Sequence, residues 1–573
     1  MLRATPVSPR ALASGMGGLL RARARATPDR PAIRTPDTLL TWRALDAEVD
    51  RTAAFWRAQG VGAGQTVGLW MGNDPELLIQ VLGCARAGAA TALVHPEVRG
   101  EGLLHALQVA APAALVHDGE RGASLPDAVA ALPFSAGRWF CGATGEANDV
   151  VAARRRLPSG PVRDPLRLGD TPFCYLYTSG TTGRPKAAVI THRRALLGAA
   201  AFQTLAVHAT ADDVVFTPLP LAHASALLIG FGMALWSGAA FAFTPGFSAR
   251  RYWSDARHLG ATIGLYVGEL CRYLAATPPS AADRDHAVGT MVGNGLRADV
   301  WPDFTARFGI ERVIEFYGAT ESNALLLNTT NKVGSCGRPV LMGPLDATEL
   351  IRYDAEHDAH PRDRRGRCQR CGPDEPGELI VRIGLLPTER FDGYLDRAAT
   401  EAKILRGVFR RGDAWFRTGD LLRRDAEGDW FFIDRVGDTF RWKGENISAQ
   451  QVQEALVGSG GVVEAAVYGV EIPGCEGRAG MAAVTGDALD GPTLYARVAA
   501  TLPPAGWPAF IRRRDALDRT ATLKYRKLTL MAEGFDPARC GDDPLLVRLD
   551  AERTYAPLTP AHLRAVQAGD LRL

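Results

Sequence analysis

A chain of 573 residues, 46% hydrophobic and 23% charged, has the composition of a globular protein and is too long for one core, so two or more domains are expected. A formal net charge of +3 with no long basic block gives no electrostatic footprint for nucleic acid. The nine scattered cysteines form no disulfide framework, which points to a reducing, cytoplasmic compartment, and no run of eighteen apolar residues predicts a transmembrane helix.

The first 28 residues hold five arginines and no acid. A transit peptide has that bias, but ALASGMGGLLRARARA reads more simply as a first helix. From residue 30 to 150 short apolar runs alternate with helical patterns. TVGLWMG and ATALVHP read as buried strands, and between them DPELLIQVLGCARAGA reads as a helix with Asp74 as N-cap and Pro75 at its first position. The alternation predicts parallel α/β units and resumes at DDVVFTPLP, ALLIGFGMALWSGAAFAFTP and ATIGLYVGELCRYLAA. The polar stretch from Asp354 to Gly377 reads as a surface loop, although His357, His360, Cys368 and Cys371 within it are residues that can staple a loop around a structural Zn²⁺. Their spacing matches no standard zinc pattern, so the plain loop is preferred. A strand-rich portion runs from GELIVRI to GDWFFIDR, and a small further domain starts after Gly437. The arginine runs RRRLP and IRRRDA read as solvated faces.

The stretch FCYLYTSGTTGRPKAAVITH is the most specific in the chain. An apolar strand enters a loop of hydroxyl residues and glycines, Thr178 to Gly183, closed by Lys186 and followed by a second strand. Glycines let backbone N–H groups approach an anion, and the hydroxyls add donors. Lysine is scarce here: Lys186, Lys332, Lys403, Lys443, Lys524 and Lys527 are the only six among 66 basic residues. A compact ammonium suits a phosphate, and Ala187 after the lysine excludes a Walker A loop.

YTSGTTGRPKAA resembles the phosphate loop of the AMP-forming adenylating superfamily, which includes acyl-CoA synthetases, luciferases and peptide-synthetase adenylation domains. FYGATES, FRTGD, DRVGDTFRWKGENIS and TATLK follow in the family's order, and YVGELCRYL, GNGLR, RFDGYL and VYGVEIPGCEGRAGMAA resemble its fatty-acid transport protein/very-long-chain acyl-CoA synthetase branch. The resemblance implies an α/β fold: a large N-terminal domain of α/β subdomains plus a β-rich subdomain, residues 1–435, and a small mobile α+β C-terminal domain, residues 436–573, hinged at Gly437 or Asp438. It implies activation of a medium- to long-chain fatty acid as acyl-AMP, then transfer to CoA, with ATP and Mg²⁺ required.

By resemblance, Thr178, Ser179, Gly180, Thr181, Thr182, Gly183 and Lys186 hold the β- and γ-phosphates of ATP. Tyr317 lies against adenine, with Asn294 and Gly295 near its edge and Gly318 and Ala319 in the adjoining turn. Thr320 contacts the α-phosphate and Glu321 ligates Mg²⁺. Asp420 accepts the ribose hydroxyls, Arg435 reaches the ribose, and Lys524 binds the incoming carboxylate and the α-phosphate oxygens. His223 lies near the carboxylate pocket. Lys443, Gly444 and Glu445 serve the second half-reaction, the last two lining the thiol's entry.

Three departures bear on the substrate. PLAHASA stands where that branch has PLYHSAG; Thr244-Pro245-Gly246 replaces a basic pair; and Ala521 replaces the glycine of the lysine loop. They motivate an alternative, an enzyme of specialised metabolism that loads a carrier protein or activates nitrite as an ATP-dependent diazotase. A lipid-uptake protein with vestigial catalysis is a third reading, opposed by the intact phosphate and metal residues. The sequence does not fix the oligomeric state.

Overall fold

The computed structural model describes residues 9–142, 148–157, 160–165, 168–178, 185–341, 346–354, 359–436, 439–442, 445–473, 475, 477–519, 525–568 and 570–571. The chain divides into two compact units. The first is Met1–Ala347 with Val381–Leu405 and Ala414–Phe416; the second is Thr348–Ile380, Arg406–Asp413 and Arg417–Leu573.

The expected α/β alternation builds two sheets in the first unit. One has nine strands. Its centre is six parallel strands in the order Pro31–Arg34, Ala240–Phe243, Val214–Thr217, Ile263–Val267, Thr290–Asn294 and Arg312–Tyr317. The other has six, with Thr66–Trp70 and Ala90–Val94 parallel at its middle. Both of these strands are buried at every residue, as near-continuous apolar runs in parallel sheets should be. Between them runs the helix Pro75–Ala87. The Asp74 side chain accepts the Glu76 N–H at 2.7 Å, Pro75 opens the helix, and Gly88 in the left-handed region closes it.

The phosphate-loop stretch has a strand on each side, as its sequence predicts. Pro172–Thr178 and Lys186–Thr191 pair antiparallel, with Thr178 opposite Lys186.

The N-terminal basic stretch is a core helix, Gly15–Ala26, with Met16, Leu19, Leu20 and Arg23 buried. Its arginines have dedicated partners: Arg21 pairs with Asp50 at 2.6 Å, and Arg23 donates to the Leu235 and Trp236 carbonyls. Next to it Arg86 is fully buried and uses all five N–H groups, on Asp164, Asp50, Asp46 and the Asp46 and Gly17 carbonyls.

Strands Thr348–Ile351, Gly377–Arg382, Ala414–Arg424 and Trp430–Arg435 belong to one sheet, most of whose residues fall in the second unit. A hairpin of Thr439–Trp442 and Glu445–Ser448 follows, then a five-stranded mixed sheet over residues 464–557 with its own apolar core. Among the described residues no helix is long and apolar enough to cross a membrane.

Two sequence expectations are corrected. RRRLP and IRRRDA are not solvated faces throughout. Arg154 is buried and pairs with Glu76 and, at 3.0 Å, with Glu48; Arg512 is buried and pairs with Glu533 at 2.5 Å and Asp543 at 2.7 Å. A local run of like charge says nothing about acids supplied from distant strands and helices. The 354–377 stretch also carries isolated bridges, Asp354 with Ala359 and Arg362 with Cys368, and buries Cys368 and Cys371.

Candidate active site

Parallel strands leave their last carbonyls and the following turn without ladder partners, and ligands bind there. The first unit places seven of the predicted residues at such strand ends. Ile263–Val267 ends at Gly268, Thr290–Asn294 at Gly295, and Arg312–Tyr317 runs into Gly318, Ala319, Thr320 and Glu321. Asn294, Gly295 and Gly318 are exposed, Thr320 and Glu321 half-buried, and Tyr317 buried.

The turn after Tyr317 is held by a side chain from a neighbouring element. Arg194, on the helix His192–Ala201, donates to the Ala319 carbonyl at 3.2 Å and to the Ser322 carbonyl, bracketing Thr320 and Glu321. Burial lowers the pKa of this guanidinium, partly offset by Asp392 and Glu321. Asn323 extends the grip, its amide donating to the Arg382 and Glu389 carbonyls at 3.1 Å each.

Tyr394 joins these residues to the phosphate loop. Its hydroxyl interacts with both Glu321 and Thr178, and burial with the nearby Glu321 carboxylate pushes its pKa well up. The Lys186 ammonium sits 5.9 Å from the centre of the same ring, within cation–π range. Thr178, Lys186 and Glu321 are thereby gathered around one phenol. Ser179, Gly180, Thr181, Thr182 and Gly183 lie outside the described residues.

His223 belongs to a separate turn. Asn73 braces that turn: its amide donates to the Leu219 and Thr244 carbonyls at 3.0 Å, and its oxygen accepts the Leu221 N–H at 2.8 Å. The replaced segments PLAHASA and Thr244-Pro245-Gly246 thus share one anchor.

In the second unit Asp420 and Arg435 are cross-strand partners, with Arg435 Nε 3.4 Å from Asp420 Oδ1. Asp420 is buried and follows Gly419, whose φ of +78° needs glycine. The Gly419 N–H donates to Glu378 at 2.9 Å, and Glu378 also takes Arg417 at 3.1 Å and His360 at 2.7 Å. Burial raises the pKa of Glu378, but His360 and Arg417 more than offset it and hold the carboxyl below its ordinary value. His360 therefore supports the strand backbone just before Asp420; His357 lies outside the described residues, and no group of three or more metal-ligating side chains occurs among those described. Lys443, Gly444 and Lys524 also lie outside them, as does the side chain of Glu445.

Arg194, Glu378, Tyr394 and Asn73 escape a reading of the sequence alone. Tyr394 alone had a signal, since RFDGYL stands among the family-like stretches.

Open strand ends carrying hydroxyls, an acid and a lysine define an α/β enzyme that binds a phosphorylated ligand. Residues 20–385 match the family described as AMP-binding enzyme and residues 451–524 its C-terminal domain, so the chain belongs to that family. It is 37% identical over 97% of its length, and 92% of the relative's, to the medium/long-chain-fatty-acid–CoA ligase FadD6 of Mycobacterium tuberculosis. It is 38% identical to long-chain fatty acid transport protein 2 of Rattus norvegicus, over 96% of this chain and 90% of the relative. The ATP-bound MatB of Rhodopseudomonas palustris shares the fold, with a TM-score of 0.77 at 21% identity, covering 91% of this chain and 98% of that one. The recognition of an adenylating enzyme close to the fatty-acid transport branch, and of a large N-terminal and small C-terminal domain, is borne out.

Proposed function

We propose that this protein is an AMP-forming acid–CoA ligase that activates a medium- to long-chain fatty acid. The acid's carboxylate attacks the α-phosphorus of ATP and expels pyrophosphate; the CoA thiol then attacks the acyl carbonyl, releasing AMP and the thioester. The observation that carries this reading is identity along nearly the whole chain with a fatty-acid–CoA ligase.

The gathering of Thr178, Lys186 and Glu321 around Tyr394 supports the roles given to them. Lys186 neutralises phosphate charge, and Thr178 with the loop after it supplies donors. Tyr317, Asn294 and Gly295 receive adenine, and Thr320 the α-phosphate. The buried Asp420 takes the ribose hydroxyls, with Arg435 beside it. Glu321 is a half-buried hard-oxygen donor next to a hydroxyl, a set that suits Mg²⁺. Mg²⁺, when bound, would offset charge on the phosphates. Lys524 pairs with the carboxylate and α-phosphate oxygens in the first half-reaction, and Lys443 to Glu445 serve the second. The functional division follows Arg435, and the protein works in the cytoplasm without nucleic acid.

The test is incubation with ATP, Mg²⁺, CoA and a panel of acids that includes nitrite. Fatty acids should give AMP, pyrophosphate and thioester. Formation of ADP, or pyrophosphate release with nitrite and not with fatty acids, overturns the reading. Lys524→Ala should abolish acyl-AMP formation.

A further inference from the structure

A buried glutamate that has no cationic partner among the described residues lies directly under the turn at the end of Thr290–Asn294. Glu315 is 5% exposed and belongs to the strand Arg312–Tyr317. One carboxylate oxygen accepts the Gly295 N–H; the other accepts the Leu296 N–H at 3.3 Å and the hydroxyl of Tyr266. Tyr266 is fully buried on the adjacent strand Ile263–Val267. One carboxylate thus ties three neighbouring strands at the end that faces ligand.

The Leu296 side chain is buried in the core and holds one end of the turn, while Gly295 has no side chain of its own. Gly295 holds φ of +85°, and a Cβ on Gly268 would lie 1.7 Å from the Gly295 carbonyl oxygen, so the two backbones touch with no side chain between them. A glycine packed on a glycine gains no side-chain interlock, so a hydrogen-bond anchor sets the backbone at that point.

We propose that Glu315, with Tyr266, is a positioning residue for the nucleotide base: it fixes the Asn294-Gly295-Leu296 turn in the shape that receives adenine. The inference rests on the reading that this turn meets the adenine edge. Burial pushes the Glu315 carboxyl up to about 8 against the pull of its three donors, so both oxygens act as full acceptors only above that pH, and the variants are compared at pH ~9. Glutamine fits the same space but carries one acceptor atom and an NH₂. Whichever way it turns, a backbone N–H of Gly295 or Leu296 then faces another donor.

The test measures ATP affinity by calorimetry, and the Michaelis constant and kcat of ATP–pyrophosphate exchange, on the full chain. Inorganic tripolyphosphate, which has no base, serves as the second ligand. Glu315→Gln should weaken ATP on the order of tenfold and Tyr266→Phe roughly threefold to tenfold, scaled from one buried donor left unpaired. In both variants kcat should stay within about threefold and tripolyphosphate affinity should not change. Tyr266→Phe removes a single oxygen and keeps the result readable if Glu315→Gln does not fold. ATP affinity unchanged in both, or ATP and tripolyphosphate weakened equally, overturns the proposal. Asn294→Ala separates the two levels: if it weakens ATP while the other variants do not, the inference fails alone; if it leaves ATP unaffected, the reading of the turn fails and the inference with it.

Discussion

Replacing Arg194 by methionine keeps the apolar stem and removes the guanidinium that brackets Thr320 and Glu321. Two hydrogen bonds go, to the Ala319 carbonyl at 3.2 Å and to the Ser322 carbonyl. A bond to a charged donor contributes about 1.5–3 kcal/mol. Ala319 O keeps the Ser322 N–H at 3.0 Å, so its loss falls toward the low end, while the Ser322 carbonyl loses its guanidinium donor. A net of about 3 kcal/mol, expressed at the loop proposed to meet the α-phosphate, is a fall in kcat/KM on the order of 100-fold. Removing a cation also strips screening from Glu321 and Asp392, whose fields act on this guanidinium. Arg194→Lys keeps the charge with fewer, differently aimed donors and should fall between the two. The assay is ATP–pyrophosphate exchange at saturating acid, with thermal unfolding measured alongside. A kcat/KM within threefold of the parent for Arg194→Met would refute the claim that this residue holds the loop for catalysis.

Arg86→Met should destabilise the first unit by about 3–5 kcal/mol in denaturant unfolding, because it leaves Asp46, Asp50 and Asp164 short of a fully buried partner; a cost under about 1 kcal/mol contradicts the network. Burial lowers the His192 pKa to about 4 and keeps the ring neutral, its Nδ1 accepting the Met16 N–H at 3.2 Å. Its contribution, about 3 kcal/mol, is therefore full above the ordinary histidine value near ~6.5 and is lost as pH falls toward 4. His192→Gln should flatten that part of the stability–pH curve, and an unchanged slope counts against it. Cys475 is the exposed thiol and Cys84, Cys174 and Cys271 are buried, so a thiol reagent should label native protein first at Cys475, a reaction that Cys475→Ser removes.

Local chemistry was legible in the sequence wherever a few adjacent residues decide the outcome. Asp74 and Pro75 announce a helix start, TVGLW and ATALV announce buried parallel strands, and glycines between two apolar runs announce the hairpin that pairs Thr178 with Lys186. Partners far apart in the chain were not. Arg154 and Arg512 look solvated because Glu76, Glu533 and Asp543 reach them only after folding. Tyr394 lies more than 200 residues from Thr178 in sequence, and nothing in either segment records their meeting. Two π-helical turns, Phe202–Val207 and Ser225–Phe231, also defeat a period of 3.6, since each adds a residue per turn to an otherwise helical pattern.

Three backbone segments of the candidate residues share one mode of support. Gly295 rests on Glu315, Ala319 and Ser322 on Arg194, and Gly419 on Glu378. In each case an ionisable side chain, buried at Glu315 and Glu378 and half-buried at Arg194, bonds to backbone groups: at a strand end for Gly295, in the turn after a strand for Ala319 and Ser322, and within a strand for Gly419. A neutral side chain of similar size offers fewer or weaker bonds; a carboxylate accepts on two oxygens and a guanidinium donates from five N–H groups. Burying such a group is costly, and the pKa of Glu315 is raised and that of Arg194 lowered as a result. The return is a set of segments fixed before ligand arrives, so that little reorganisation accompanies the build-up of phosphate charge. Substitutions at these three supports should therefore lower nucleotide affinity or adenylation rate while leaving the choice of acid unaltered. Substitutions around Asn73, which anchors the PLAHASA turn and Thr244, should move the preference among acids instead.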